Sequence, residues 1–144
     1  MHENDTVKLL RECDVGVKMG VSSINEVISD VKNDEMRRNL ADCRNQHEVL
    51  LCDIKTKLGE NCDKGKEPAA TAKGMSWIKT NVKMALDYSD KTVADLITDG
   101  CNMGVKSLHR YLNQYQAADS ESKGFANRLI KLEDDLAHQM RQYL

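Results

Sequence analysis

Strand-formers and chain-breakers are both scarce in this sequence. Among 144 residues there is one proline, one phenylalanine, one tryptophan and four tyrosines, so aromatics make up only 4%. Sheets draw on β-branched and aromatic side chains, and their shortage argues against a β fold. A single proline leaves most of the chain able to form long helices. Neither sign of charge dominates: 21 Lys and Arg stand against 23 Asp and Glu, for a net charge of −2. That balance gives no reason to expect nucleic acid or an anionic membrane as a partner. No apolar run approaches the ~20 residues needed to cross a bilayer. Met1-His2-Glu3-Asn4-Asp5 lacks the basic region and apolar stretch of a signal peptide, so the expected location is cytoplasmic. Cys-x-x-Cys pairs are also missing. The five cysteines, Cys13, Cys43, Cys52, Cys62 and Cys101, are odd in number and scattered, which predicts reduced, mostly buried thiols rather than a disulfide framework.

What is present is helical patterning. The chain is the length of one domain, with 40% apolar and 31% charged residues, as in an ordinary solvated bundle. The first stretch runs from Asn4/Asp5 to Val31 with the stripe Leu10, Asp14, Val17, Val21, Ile24, Ile28, Val31. The second starts after Asn33, with Asp34 and Glu35 suited to a helix N-terminus, and ends near Gly59. Its stripe is Met36, Leu40, Cys43, His47, Leu50/Leu51, Ile54, Leu58. A linker with Gly65 and Pro68 leads to a short helix carrying Met75, Trp77, Ile78, Val82 and Leu86. Ser89-Asp90 caps a stretch through Val93, Ile97, Cys101, Val105, Leu108, Leu112 and Tyr115. Asp119-Ser120 opens the last helix, with Phe125, Leu129, Leu132, Leu136, Met140 and Tyr143. A repeat close to 3.5 residues is the spacing of near-parallel bundle packing. The prediction is all-α: an antiparallel four-helix bundle of two hairpins, 5–59 and 90–144, with a short extra helix in the crossover 60–88.

The two hairpins read as copies. Met19-Gly20-Val21-x-Ser23 recurs as Met103-Gly104-Val105-x-Ser107, a shift of 84, which also carries Gly16 onto Gly100. Met36, Leu40, Cys43 and Leu51 fall on Phe125, Leu129, Leu132 and Met140 at a shift of 89. Mid-helix glycine costs ~1 kcal/mol relative to alanine. Two G-x-x-x-G pairs, Gly16/Gly20 and Gly100/Gly104, therefore need a reason. The expectation is a close crossing of the two helices, glycine against glycine; the alternative is a gap kept for a ligand.

With Asp14-Val15-Gly16 and Gly20 on the first helix, and Asp99-Gly100 with Gly104 and Val105 on its counterpart, the chain resembles the ferritin-like superfamily. More narrowly, it is similar to a group of short bacterial ferritin-like proteins, and the likeness covers nearly the whole chain. The resemblance implies two metal ions held between the four long helices, with a Glu from the first helix of each hairpin and Glu-x-x-His from the second. The sequence does not supply that set. His47 faces inward, but Arg44 stands three residues before it, an arginine entering the site. At the matching place Glu133 is followed by Leu136. Equal rise along the first hairpin sets 44–47 level with roughly 18–21, a window with no carboxylate, and its counterpart Asn102 to Val105 has none either. Neither metal nor cofactor is expected.

Asp14 breaks an aliphatic stripe about one turn from His47, which suggests a buried hydrogen-bonded pair, or a remnant polar site joined by Glu133. Asp135-x-x-His138 has the right spacing for a metal pair, but His138 faces away from the core. His109 and Tyr111 do not share a face, and with Tyr115 they fit a bundle edge or subunit contact. Cys43 and Cys52 are too far apart on one helix to share a metal ion, and His2 carries no signal. No nucleophile has a base and no Gly-rich phosphate loop is present. The expectation is a structural or protein-interaction module, more a binder than an enzyme. Its partner would be a homodimer mate or another protein, with Tyr111, Tyr115, Trp77 and the methionines as contact residues. The alternative is a metal-binding or redox protein of the ferritin/rubrerythrin type, using a reduced site around His47, Glu133 and Asp14. A carrier of a small apolar ligand between the helices is the third reading.

Overall fold

The computed structural model describes residues 4–60 and 89–144. The short helix expected around Met75 to Leu86 lies outside them. Four long helices make up the rest: α1 (Asp5–Val27), α2 (Asp34–Glu60), α3 (Asp90–Gln114) and α4 (Ser120–Met140). Each begins where a short polar side chain takes up an orphan amide of the first turn. Asn4 accepts from the Val7 N–H, Asn33 from Met36, Ser89 from Thr92 and Asp119 from Ser122, at 2.8–3.2 Å.

The first helix stops before the predicted Val31. It ends at Val27, tightens into a single 3-10 turn, Ile28–Asp30, and Val31 is extended. Val31 nevertheless stays buried at 2% exposure. The apolar stripe continues across this change because a tightened turn still carries its last side chain onto the same face.

Helix ends fix the arrangement. Val27 at the end of α1, Val31 in the turn after it, Met36 at the start of α2, Val93 at the start of α3 and Met140 at the end of α4 share one hydrophobic cluster. Leu9 and Leu10 of α1, Leu58 of α2, Leu108 of α3 and Ala126 of α4 share the other. So α1 and α2 run antiparallel, as do α3 and α4, α1 and α3, and α2 and α4. Glu60 therefore closes α2 at one end of the molecule, and Ser89 opens α3 from the other.

Reciprocal contacts hold the two hairpins together. The Asp90 carboxylate accepts from the backbone N–H groups of Lys32 and Asn33 in the α1–α2 turn, at 2.8 and 2.9 Å. At the opposite end Asp5 accepts from the Ala117 N–H at 2.9 Å, and the Thr6 hydroxyl accepts from Asp119 at 2.9 Å. Each hairpin thus uses the acid that opens it to satisfy the turn of the other.

The two clusters do not merge. Between them, α1 and α3 contribute Gly20 and Gly104, while α2 and α4 contribute His47 and Glu133. This middle layer, small on the neighbouring helices α1 and α3 and polar on α2 and α4, is where the hydrophobic stripe gives way.

Candidate functional site

The helical repeat brings Gly16 and Gly20 of α1 and Gly100 and Gly104 of α3 to the same level of the bundle. They do not meet. A cavity of about 350 Å³ lies between α1 and α3 at this level, and all four glycines line it. The expected glycine-to-glycine crossing is corrected here. What the glycines accommodate comes from the other two helices. A Cβ on Gly20 would stand 2.9 Å from both Cδ2 and Nε2 of the His47 ring, and one on Gly104 would collide with the Glu133 carboxyl. A Cβ on Gly16 would press on Leu129 at 3.3 Å, while at Gly100 no atom lies within 4 Å.

The wall is close to symmetric. Met19 and Met103, Ser23 and Ser107, Ile24 and Leu108 are counterparts at the shift of 84, and all line the cavity. Met19 and Met103 are 45% and 54% exposed. Two flexible, polarisable side chains therefore reach solvent from the two helices that flank the opening. Aliphatic side chains fill part of the remaining wall: Val15 of α1, Ile97 of α3, and Leu129 and Leu136 of α4.

The polar interior breaks that symmetry. His47 is 2% exposed and its Nδ1–H donates to the Cys43 carbonyl at 2.8 Å. This fixes the tautomer, leaving Nε2 as an acceptor on the side of Gly20. Burial holds the imidazole pKa below its ordinary value, so it is neutral. Glu133 has its Oε2 buried without a hydrogen-bond partner among the described residues. Desolvation, with the charge of neighbouring Asp134, pushes its carboxyl up to about 8. Near neutral pH it is largely the protonated acid. Two buried thiols are held in the protonated form: burial, with the charges of Glu133 and Asp135, raises Cys43 to about 12, and burial raises Cys13 to about 12.

Two sequence expectations about side chains change. Asp14 is fully buried but forms no pair with His47; it binds Lys18 of its own helix at 2.8 Å and does not line the cavity. The i,i+4 lysine reaches its carboxylate without leaving α1. Arg44 does not enter the site: its guanidinium bonds the Asn25 side chain at 2.9 Å on the outer surface. His47 and Glu133 do come together as cavity-lining residues, at the levels predicted for them. The resemblance's di-metal set does not fit these residues. Glycine stands where α1 and α3 would each give a carboxylate, and among the described residues no group of three His, Cys, Asp or Glu could hold a metal ion.

Elsewhere, His138 is exposed and close to Arg141, and His109 is exposed. Tyr111 and Tyr115 stack with centroids 6.3 Å apart, and Tyr111 also lines the cavity. Cys13, Cys43 and Cys101 are buried free thiols and Cys52 is exposed. No helix among the described residues is long and apolar enough to cross a membrane. The cavity is the feature the sequence signalled without resolving: paired glycines have the same spacing whether two helices touch or part. Comparison with protein-family models, curated proteins and solved structures gives no match.

Proposed function

We propose that this protein is a ferritin-like bundle that works by binding, and that it holds a small molecule in the cavity between α1 and α3. The ferritin-like part rests on the internal repeat and on the antiparallel hairpins, with α2 ending and α3 beginning at opposite ends of the bundle. The binding part rests on one observation above all. The layer that interrupts the hydrophobic core pairs two glycines with an acceptor nitrogen and an unpartnered carboxyl, around a cavity of about 350 Å³. Small-molecule sites are commonly of this size, mainly apolar with a few convergent polar groups. Gly16, Gly20 and Gly104 make room for Leu129, His47 and Glu133, but Gly100 has no atom within 4 Å of its missing Cβ and costs ~1 kcal/mol relative to alanine with no return in packing. Keeping the cavity open is a return for that cost, and it favours a ligand over a purely structural or protein-contact role.

Amide NMR of labelled protein, titrated with small amphiphiles carrying positive, negative and neutral heads, tests the proposal. The expected result is shifts concentrated at Gly16, Gly20, Gly100 and Gly104 for at least one head group. The same titration of Gly100→Leu, whose side chain would project into open space, should show the shifts abolished while the fold is retained. A panel that leaves the glycine amides unmoved overturns the reading.

A further inference from the structure

The walls of the cavity select by charge. Among the described residues it is lined by two carboxylates, Glu12 and Glu133, and by no lysine or arginine. An anionic ligand would find repulsion and no counter-ion; a cation would find Glu133. The two polar atoms at depth also agree in kind. His47 Nε2 is an acceptor because Nδ1–H is committed to the Cys43 carbonyl, and Glu133 is an acceptor once ionised. Both ask for a ligand that donates hydrogen. Tyr111 and the two methionine thioethers, also in the lining, tolerate a cation against a π face or sulfur. The aliphatic and glycine walls ask for an apolar body.

From this we infer that the ligand is a small organic ammonium ion, a primary amine on an apolar body, whose N–H groups bridge His47 Nε2 and the Glu133 carboxylate. The inference rests on the binding role proposed above and names the chemistry of that site. It carries a proton balance. Glu133, with its carboxyl raised to about 8, is largely protonated near neutral pH, whereas a primary amine is already an ammonium. Pairing them sends the Glu133 proton to the buffer, close to one proton per ligand bound at pH 7. The other titratable groups around Glu133 do not supply that proton. His47 is already neutral; Cys43 and Cys101 have thiol pKa values raised far above neutrality. On its own helix, Asp134 acts on Glu133 as a charge. From α1, Glu12 also lines the cavity.

Three probes of matched shape separate the alternatives: phenethylamine, phenethyl alcohol and hydrocinnamate, titrated by calorimetry near pH 7 in two buffers of different ionisation enthalpy. The expected outcome is that phenethylamine binds at least about tenfold tighter than either partner, as a charge-assisted pair in a dry site should. Its apparent enthalpy should depend on the buffer, reporting proton release. In Glu133→Gln, which keeps the side-chain shape, phenethylamine should lose about tenfold or more and its proton release, while the alcohol changes by less than about twofold. If that variant fails to fold, the buffer dependence of the unaltered protein still decides. Tighter binding of the alcohol or of hydrocinnamate, or amine binding without proton release, overturns the ammonium assignment and leaves the cavity as a binding site. Silence from all three probes overturns both.

Discussion

Four glycines at one level of a bundle look interchangeable in the sequence, and their surroundings make them different. At Gly20 an added methyl would lie 2.9 Å from the ring of His47, and the ring cannot swing aside without breaking its hydrogen bond to the Cys43 carbonyl. At Gly100 it would meet nothing within 4 Å. Helix propensity favours alanine at both by ~1 kcal/mol, while overpacking a buried ring costs about 1–3 kcal/mol. Gly100→Ala is therefore expected to stabilise the protein by about 1 kcal/mol. Gly20→Ala is expected to destabilise it or at best break even, since steric cost exceeds propensity gain. Urea unfolding followed by circular dichroism compares the two. Equal stabilisation would mean that His47 is not wedged against α1.

At the scale of the element, the helices were readable because their signals are local. Asn4, Ser89 and Asp119 cap helices where short polar residues precede apolar stripes, and equal rise along a hairpin set 44–47 level with the window 18–21, where His47 meets Gly20. What escaped is not local. The 3-10 turn after Val27 preserves the stripe, so periodicity passes over it. Arg44 takes Asn25, and Asp14 takes Lys18, by side-chain choices that spacing leaves open. Asp90 looked like a helix-opening acid, but it also accepts two amides from a turn 57 and 58 residues earlier. Removing it in Asp90→Ala strands those amides and should cost about 1–2 kcal/mol, and Asp5→Ala should cost about 1 kcal/mol at the other end. A helix of α1's length separates the two contacts by about 35 Å. Their effects in the double variant should therefore add to within about 0.5 kcal/mol. A double variant much less stable than that sum would show the two clasps acting as one cooperative unit.

For the molecule as a whole, the two polar groups of the middle layer set how stability depends on pH, and they pull in opposite directions. Folding lowers the His47 pKa below its ordinary 6.5, so the unfolded chain binds more protons and acid costs stability once pH falls below 6.5. Folding raises Glu133 from 4.5 to about 8, so over that window the folded protein holds the proton and stability falls as pH rises, levelling off above about 8. Below 6.5 the two slopes oppose; between 6.5 and about 8 Glu133 acts alone. The buried thiols add a further alkaline loss only above their ordinary value of 9.0. Urea melts from about pH 5 to about pH 9 should show a decline approaching 1.4 kcal/mol per unit above the histidine range, partly screened by whatever water enters the cavity. Glu133→Gln has no ionisation to suppress and should lose that decline, overtaking the parent protein as pH rises toward about 8. A saturating organic ammonium should flatten it as well, because the ionised carboxylate then has its partner. Parallel profiles for the two proteins would mean that Glu133 is already ionised near neutral pH, and the middle layer would have to be read as a wet polar belt.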